Sequence, residues 1–134
     1  MINLAIGALG GWQIIAMAGA GGCGAAARAL IEGLVARSKL TGFPLGTTIV
    51  NLSGSLLMGV AAGLTLELSQ SALLHVVMVG FLGGYTTFST AAVQAAEMIM
   101  AGRWPRAVCY VSGLLVGSVA LAAAGIWAVG ALVG

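Results

Sequence analysis

The chain has 134 residues, of which 60% are hydrophobic and only 6% charged, with a formal net charge of +2. Soluble domains carry about 25% charged residues to wet their surfaces, so a water-exposed globule is excluded and the natural solvent is lipid. Five scattered Lys and Arg make no phosphate-tracking surface, which excludes nucleic acid as a partner.

A membrane helix takes roughly 20 apolar residues, so the length allows about four spans and no soluble domain besides. Residues 1–11 have no basic n-region and no clear cleavage site, and read as a mature N-terminus. The first span is expected at about 12–36, closed by Arg37, Ser38, Lys39 and a Gly42–Phe43–Pro44 turn. Within it lie Arg28 and, one turn later, Glu32. An intramembrane charge is a functional hypothesis by default. The plainer alternative is an i,i+4 ion pair, with Arg28 snorkelling to the interface.

The second span is expected at about 45–66, closed by Glu67, Ser69, Gln70 and Ser71. Asn51, Ser55, Gly59 and Gly63 recur every four residues and share one helical face. An Asn in hydrocarbon needs partners for two donor hydrogens and a carbonyl. It either ties two helices together or lines a polar path, and both readings stay open from this span alone. His75, just beyond, reads as an interfacial residue, with no nucleophile or carboxylate at motif spacing to make an enzyme.

The third span is expected at about 72–101. Its centre reads GFLGGYTTFST over residues 80–90. Two adjacent glycines followed by β-branched and hydroxyl residues are poor helix formers, and each half is too short to cross alone. A break in mid-membrane is tolerable only where it is buried in protein or lines a water-filled cavity, and broken helices recur at ion sites.

The fourth span is expected at about 107–132, after Gly102, Arg103, Trp104, Pro105 and Arg106. Tyr110 and Ser118 lie roughly on one face, although Tyr110 also suits an interfacial belt. Trp12, Trp104 and Trp127 read as belt or packing residues. Gly59–Gly63 and Gly113–Gly117 have the four-residue spacing of close helix contacts. Cys23 and Cys109 form no metal or redox motif and read as small packing thiols.

The expected fold is thus an all-α membrane protein, one four-span domain over 1–134, with the third helix broken at mid-membrane. Arg37 and Lys39 lie in the first loop, and Arg103 and Arg106 in the third; the middle loop and both termini have no Lys or Arg. This bias places loops one and three in the cytoplasm and gives the chain one fixed orientation.

Three stretches in order resemble motifs of the Fluc/CrcB family of fluoride channels: GGCGAAAR over 21–28, PLGTTIVNLSGS over 44–55 and GFLGGYTTFST over 80–90. The resemblance implies two four-helix subunits packed antiparallel in a plasma or inner membrane, with narrow pores that passively export cytoplasmic fluoride and relieve its toxicity. It implies a structural sodium ion on the dimer axis, held by the backbone carbonyls of Gly83 and Thr86. It implies a fluoride path of Asn51, Thr87, Phe88, Ser89, Tyr110 and Ser118, with Arg28 in the vestibule. An aromatic edge is the positive part of its quadrupole, which suits the role given to Phe88.

The chain departs from the family pattern in three places. A second phenylalanine is replaced by Ala91, a glutamate by Gln94, and a serine of the fourth-helix track by Leu114. With the charge bias, these departures suggest pairing with a paralogous subunit inserted the other way; a homodimer is the alternative. A non-conducting accessory subunit is a further one. A small multidrug exporter needs a central carboxylate, and neither Glu32 nor Glu97 is central.

Overall fold

The computed structural model of the chain describes residues 10–37, 42–67 and 72–133. Ser38, Lys39, Ser69, Gln70 and Ser71, expected in the first and second loops, lie outside them. Helix α1 is Gly11–Arg37, α2 is Leu45–Glu67 and α3 is Ala72–His75. A π-helix, Val76–Leu82, continues α3 and runs into the short α4, Gly83–Tyr85. After a two-residue interruption come α5, Phe88–Met100, and α6, Trp104–Val133. Four segments are long and apolar enough to cross a membrane: α1, Leu45–Leu66, Ala72–Met100 and α6. The chain is a multi-pass, all-helical membrane protein whose third span is broken.

The break differs in detail from the expectation. The glycine pair stays helical, and the extended residues are Thr86 (φ −77°, ψ 156°) and Thr87 (φ −146°, ψ 122°). Glycine is used at 84 for proximity. A Cβ there would fall inside the carbonyl of Gly21, and a Cβ on Gly24 would fall inside that of Phe81. α1 therefore lies backbone to backbone on the third span, as small residues permit in a membrane. The π-helix was not foreseen; its i→i+5 bonding is rare and tends to occur beside functional sites.

The other close seam joins α2 to α6. Gly59 meets the Ala122 backbone, Gly63 meets Val129, and Gly125 meets the backbone of Leu56 and Val60. Of the second expected glycine pair, Gly117 touches Leu52, but Gly113 has nothing within 4 Å. Cys23 and Cys109 are exposed on this single chain, not packed in its core, and Trp12, Trp104 and Trp127 are exposed too.

The ends of the spans follow local chemistry. Pro44 precedes α2, and its carbonyl accepts from both the backbone N–H and the side chain of Thr48. Gly102, at φ +72°, ends α5: its N–H donates to Ile99 O and that of Arg103 donates to Met98 O, the left-handed glycine stop of helix C-termini. α6 starts two residues later and folds back on α5, with Ala91, Ala95, Met98, Ala107 and Tyr110 buried between them.

Candidate functional site: the break in the third span

An interrupted helix inside a membrane has unpaired backbone groups, each costing several kcal/mol in hydrocarbon (about 2–7 kcal/mol by model transfer). Here the neighbouring helices satisfy them. Asn51 of α2 is 8% exposed and faces the extended residue. Its Oδ1 accepts from Thr87 N at 2.8 Å, and its Nδ2 donates to Thr87 O at 2.9 Å and to Thr47 O at 3.1 Å. The side-chain amide thus pairs with Thr87 as a neighbouring peptide would in a sheet. Both donor hydrogens and the carbonyl have partners, so Asn51 ties helices together at the point where the path was expected.

This clasp has an electrostatic result. With Thr87 N–H turned to Asn51, the Gly83 carbonyl four residues back lacks the donor that a continuous helix would supply. Gly83 is exposed, and nothing lies within 4 Å of where its Cβ would be. Thr86 O, by contrast, accepts from Arg28 Nη1 at 3.3 Å, while the Thr86 N–H and hydroxyl both donate to Leu82 O at 3.0 Å. Arg28 therefore neither snorkels outward nor pairs with Glu32; it meets the break from the α1 side. Ser53 and Tyr85 add a hydroxyl contact at 2.9 Å on the other side.

Downstream, Thr87 caps α5. Its Oγ1 accepts from Thr90 N at 3.2 Å and donates to Thr90 Oγ1 at 3.0 Å, with Ser89 Oγ at 3.4 Å. This cap explains why the helix restarts at Phe88. Phe88 and Ser89 face away from the helices of their own chain, and Phe88 is 86% exposed.

The remaining expected residues lie elsewhere. Tyr110 is 3% exposed and donates to Gln94 Oε1 at 3.0 Å, so it is a core residue and not an interfacial belt residue. Gln94 Nε2 donates to Thr47 Oγ1 at 2.9 Å, which in turn donates to Glu32 Oε1 at 3.2 Å. Phe43 sets its ring edge-on to Tyr110, 5.6 Å between centroids. Ser118 is half-buried, eight residues along α6 and so about 12 Å from Tyr110. Between them Leu114 packs on the cluster that contains Ala91 and Tyr110. Two of the three departures, the lost ring and the lost hydroxyl, therefore belong to one apolar cluster.

Sequence reasoning thus found both halves of the break but missed two features. One is that Arg28 of α1 and Asn51 of α2 both hold the break. The other is the Glu32–Thr47–Gln94–Tyr110 connection. The four-residue spacing of Thr47 and Asn51 was a usable signal for the α2 side; nothing local marks Glu32 as its neighbour.

A family model described as CrcB-like protein, Camphor Resistance (CrcB), matches residues 15–126. The chain belongs to the CrcB family. One relative is the fluoride-specific ion channel FluC 1 of Leifsonia xyli, 34% identical over 115 residues, which are 85% of this chain and 84% of the relative. Another is the fluoride-specific ion channel FluC of Coxiella burnetii, 44% identical over 118 residues, 84% and 91% of the two chains. A third, the fluoride-specific ion channel FluC of Opitutus terrae, is 38% identical over 111 residues, 80% and 81% of the two chains. The CrcB match takes in α2, the whole broken span and most of α6, so the break and both polar groups around it lie inside the family's common region.

Proposed function

We propose that the chain is the subunit of a fluoride-specific channel that passively exports fluoride beside the Thr86–Thr87 break. The observation that carries this reading is the break itself: polar backbone at mid-span, held open by Arg28 and Asn51, in a chain whose relatives are named as fluoride channels. The exposed Ser89 hydroxyl and the ring edge of Phe88 replace part of the ion's hydration shell, while the Thr87 hydroxyl, whose proton goes to Thr90 Oγ1, holds the turn that presents them. Asn51 contributes by shaping the path. Arg28 adds positive potential to the vestibule and draws anions in.

A second subunit in the opposite orientation is part of the proposal. Gly83 and Phe88 lie exposed where the third span should be deepest in the membrane, and a partner covers them. The loops at Arg37–Lys39 and Arg103–Arg106 face the cytoplasm, and the membrane is the plasma or inner membrane. Sodium on the dimer axis fits the oxygen donors: Gly83 is exposed and its carbonyl meets no donor among the described residues, and Thr86 O keeps one lone pair beside Arg28. When bound, the ion would supply a positive charge beside the anion path, held by carbonyls of interrupted backbone as sodium is in other broken membrane helices.

A paralogous partner, rather than a second copy, is favoured by one specific observation. Leu114 packs apolar surface between Tyr110 and Ser118, so the track along α6 is interrupted in this chain.

Efflux of fluoride and chloride from liposomes containing only this chain tests the reading. Fast fluoride loss without chloride loss supports a self-sufficient selective channel. No fluoride loss from folded protein points to the paralogous partner, and equal loss of both ions overturns selectivity. Phe88→Leu should lower fluoride flux about tenfold, the equivalent of a lost edge interaction of ~1.4 kcal/mol. Its effect on the melting temperature of the monomeric chain should be negligible, because the ring touches little of its own chain. Unchanged flux would remove Phe88 from the path.

Arg28→Gln should strengthen the dependence of thermal stability on sodium, since a cation at Thr86 O would no longer meet a guanidinium on the same oxygen. A melting temperature equally insensitive to sodium in both proteins would count against the carbonyl site.

A further inference from the structure

Four polar side chains from four different helices join end to end beside the first loop. Tyr110 OH donates to Gln94 Oε1, Gln94 Nε2 donates to Thr47 Oγ1, and Thr47 Oγ1 donates to Glu32 Oε1. The direction of every bond follows from the last group. An ionised carboxylate can only accept, whereas threonine, glutamine and tyrosine side chains each both donate and accept. Thr47 must give its one proton to Glu32 and so offers a lone pair to Gln94. Gln94 must turn its amino group to Thr47 and its carbonyl to Tyr110. Tyr110 must then donate. Without an acceptor-only end, the same four groups could be linked in the opposite sense.

That direction decides what Gln94 presents. One N–H of Nε2 goes to Thr47; the other has no partner among the described residues. Gln94 borders two clefts at this end, one of about 180 Å³ and one of about 280 Å³, which share Phe43 and Pro44 as walls. The smaller also reaches Glu97 and Arg103; the larger reaches Glu32 and Thr47. Turning the amide over would move the free N–H toward Tyr110 and set Oε1, which repels an anion, on the α2 side.

We propose that Glu32 is a positioning residue: as the acceptor at the end of this chain, it fixes the Gln94 amide with a free N–H toward the clefts, where that group receives the entering anion. The identity of the anion, fluoride, rests on the channel reading above. The resemblance expects a carboxylate at 94. This chain has an amide there, oriented by a carboxylate supplied from α1. Tyr110 and Thr47 are the links, and neither has a free proton to offer an anion while Glu32 is ionised.

The test uses the full chain in detergent with its glutamine side chains labelled with ¹⁵N. There are three, Gln13, Gln70 and Gln94, and the Gln94 signal is assigned by its loss in Gln94→Glu. Sodium fluoride is titrated against a sodium chloride control. In the wild type, one of the two Gln94 amide protons should shift with fluoride only. Glu32→Asp should keep that shift. Glu32→Gln, whose amide can donate as well as accept, and Thr47→Val, which cuts the chain, should each abolish it, and in the double variant the two changes should not add. Thermal melts identify any variant that has not folded, and Thr47→Val still decides if Glu32→Gln fails.

An unchanged Gln94 shift in Glu32→Gln overturns the proposal. So does a larger one, since Glu32 would then act only as a repelling charge, and so does a wild-type Gln94 that ignores fluoride. Efflux measured beside it separates the two readings. A Gln94 response without flux, both from this chain alone and co-reconstituted with a paralogous subunit, overturns the channel and leaves Glu32 in its role. Flux without a Gln94 response does the reverse.

Discussion

Replacing Asn51 by Asp should abolish fluoride flux and lower the melting temperature together. In the structure both hydrogens of the Asn51 amide point at carbonyl oxygens, those of Thr47 and Thr87. A carboxylate would bring its negative oxygen against two backbone oxygens in a buried site, with no donor on that side. Losing two such bonds and leaving their acceptors unpaired costs about 2–6 kcal/mol, taking roughly 1–3 kcal/mol for each orphaned group. Asn51→Ala should destabilise comparably, because the Thr87 N–H loses its partner as well. The two measurements, liposome efflux and thermal unfolding in detergent, distinguish this account from simple repulsion of the permeating ion. Repulsion alone would lose flux in Asn51→Asp but keep stability, and it would leave Asn51→Ala conducting.

The second large effect is steric. Gly24→Ala and Gly84→Ala should each destabilise the chain by about 1–3 kcal/mol, the range for overpacking a close contact, with the upper end expected because the obstacles are backbone. At 24 the added carbon would enter the Phe81 carbonyl and crowd Tyr85 N; at 84 it would enter the Gly21 carbonyl. Backbone cannot rotate aside as a side chain can, so α1 would have to move away from the third span and draw Arg28 from Thr86 O. Gly22→Ala is the control: it lies on the same helix with nothing within 4 Å. It should be neutral or slightly stabilising, as alanine is the better helix former by up to about 1 kcal/mol. Equal melting temperatures for the alanine variants at 22, 24 and 84 would refute the close seam.

Much of the fold was legible because lipid imposes simple rules. Length and apolar content marked four spans, and polar punctuation marked their ends to within a few residues. The broken span was legible because hydroxyl and β-branched residues at mid-membrane conflict with a plain helix. The point of the break was not, because glycine was weighed there as a helix breaker when its use is proximity. Whether Gly84 breaks a helix or seats another depends on Gly21, 63 positions earlier, and that pairing is tertiary. The same limit hid the destinations of Arg28 and Glu32. Their spacing on α1 fits a mutual ion pair, yet each has a partner from later in the chain, Thr86 in the break and Thr47 on α2. Tyr110 was open between a face shared with Ser118 and an interfacial belt, and its place in the core was missed for the same reason: its face on α6 is defined only by what α5 and Phe43 bring to it.

The clasp on Thr87 also carries a chronology. Asn51 precedes Thr87 by 36 residues, and Arg28 precedes Thr86 by 58. Among the described residues, every side chain from another helix that satisfies the interrupted backbone is therefore made before it. At about 5–20 residues per second of synthesis, Asn51 has waited roughly 2–7 s when Thr87 leaves the ribosome. The first two helices can then act as a ready-made cradle, and the weakest point of the chain need never face hydrocarbon alone. A break placed in the first span would have no such host and would have to be held by the insertion machinery until its partners were translated.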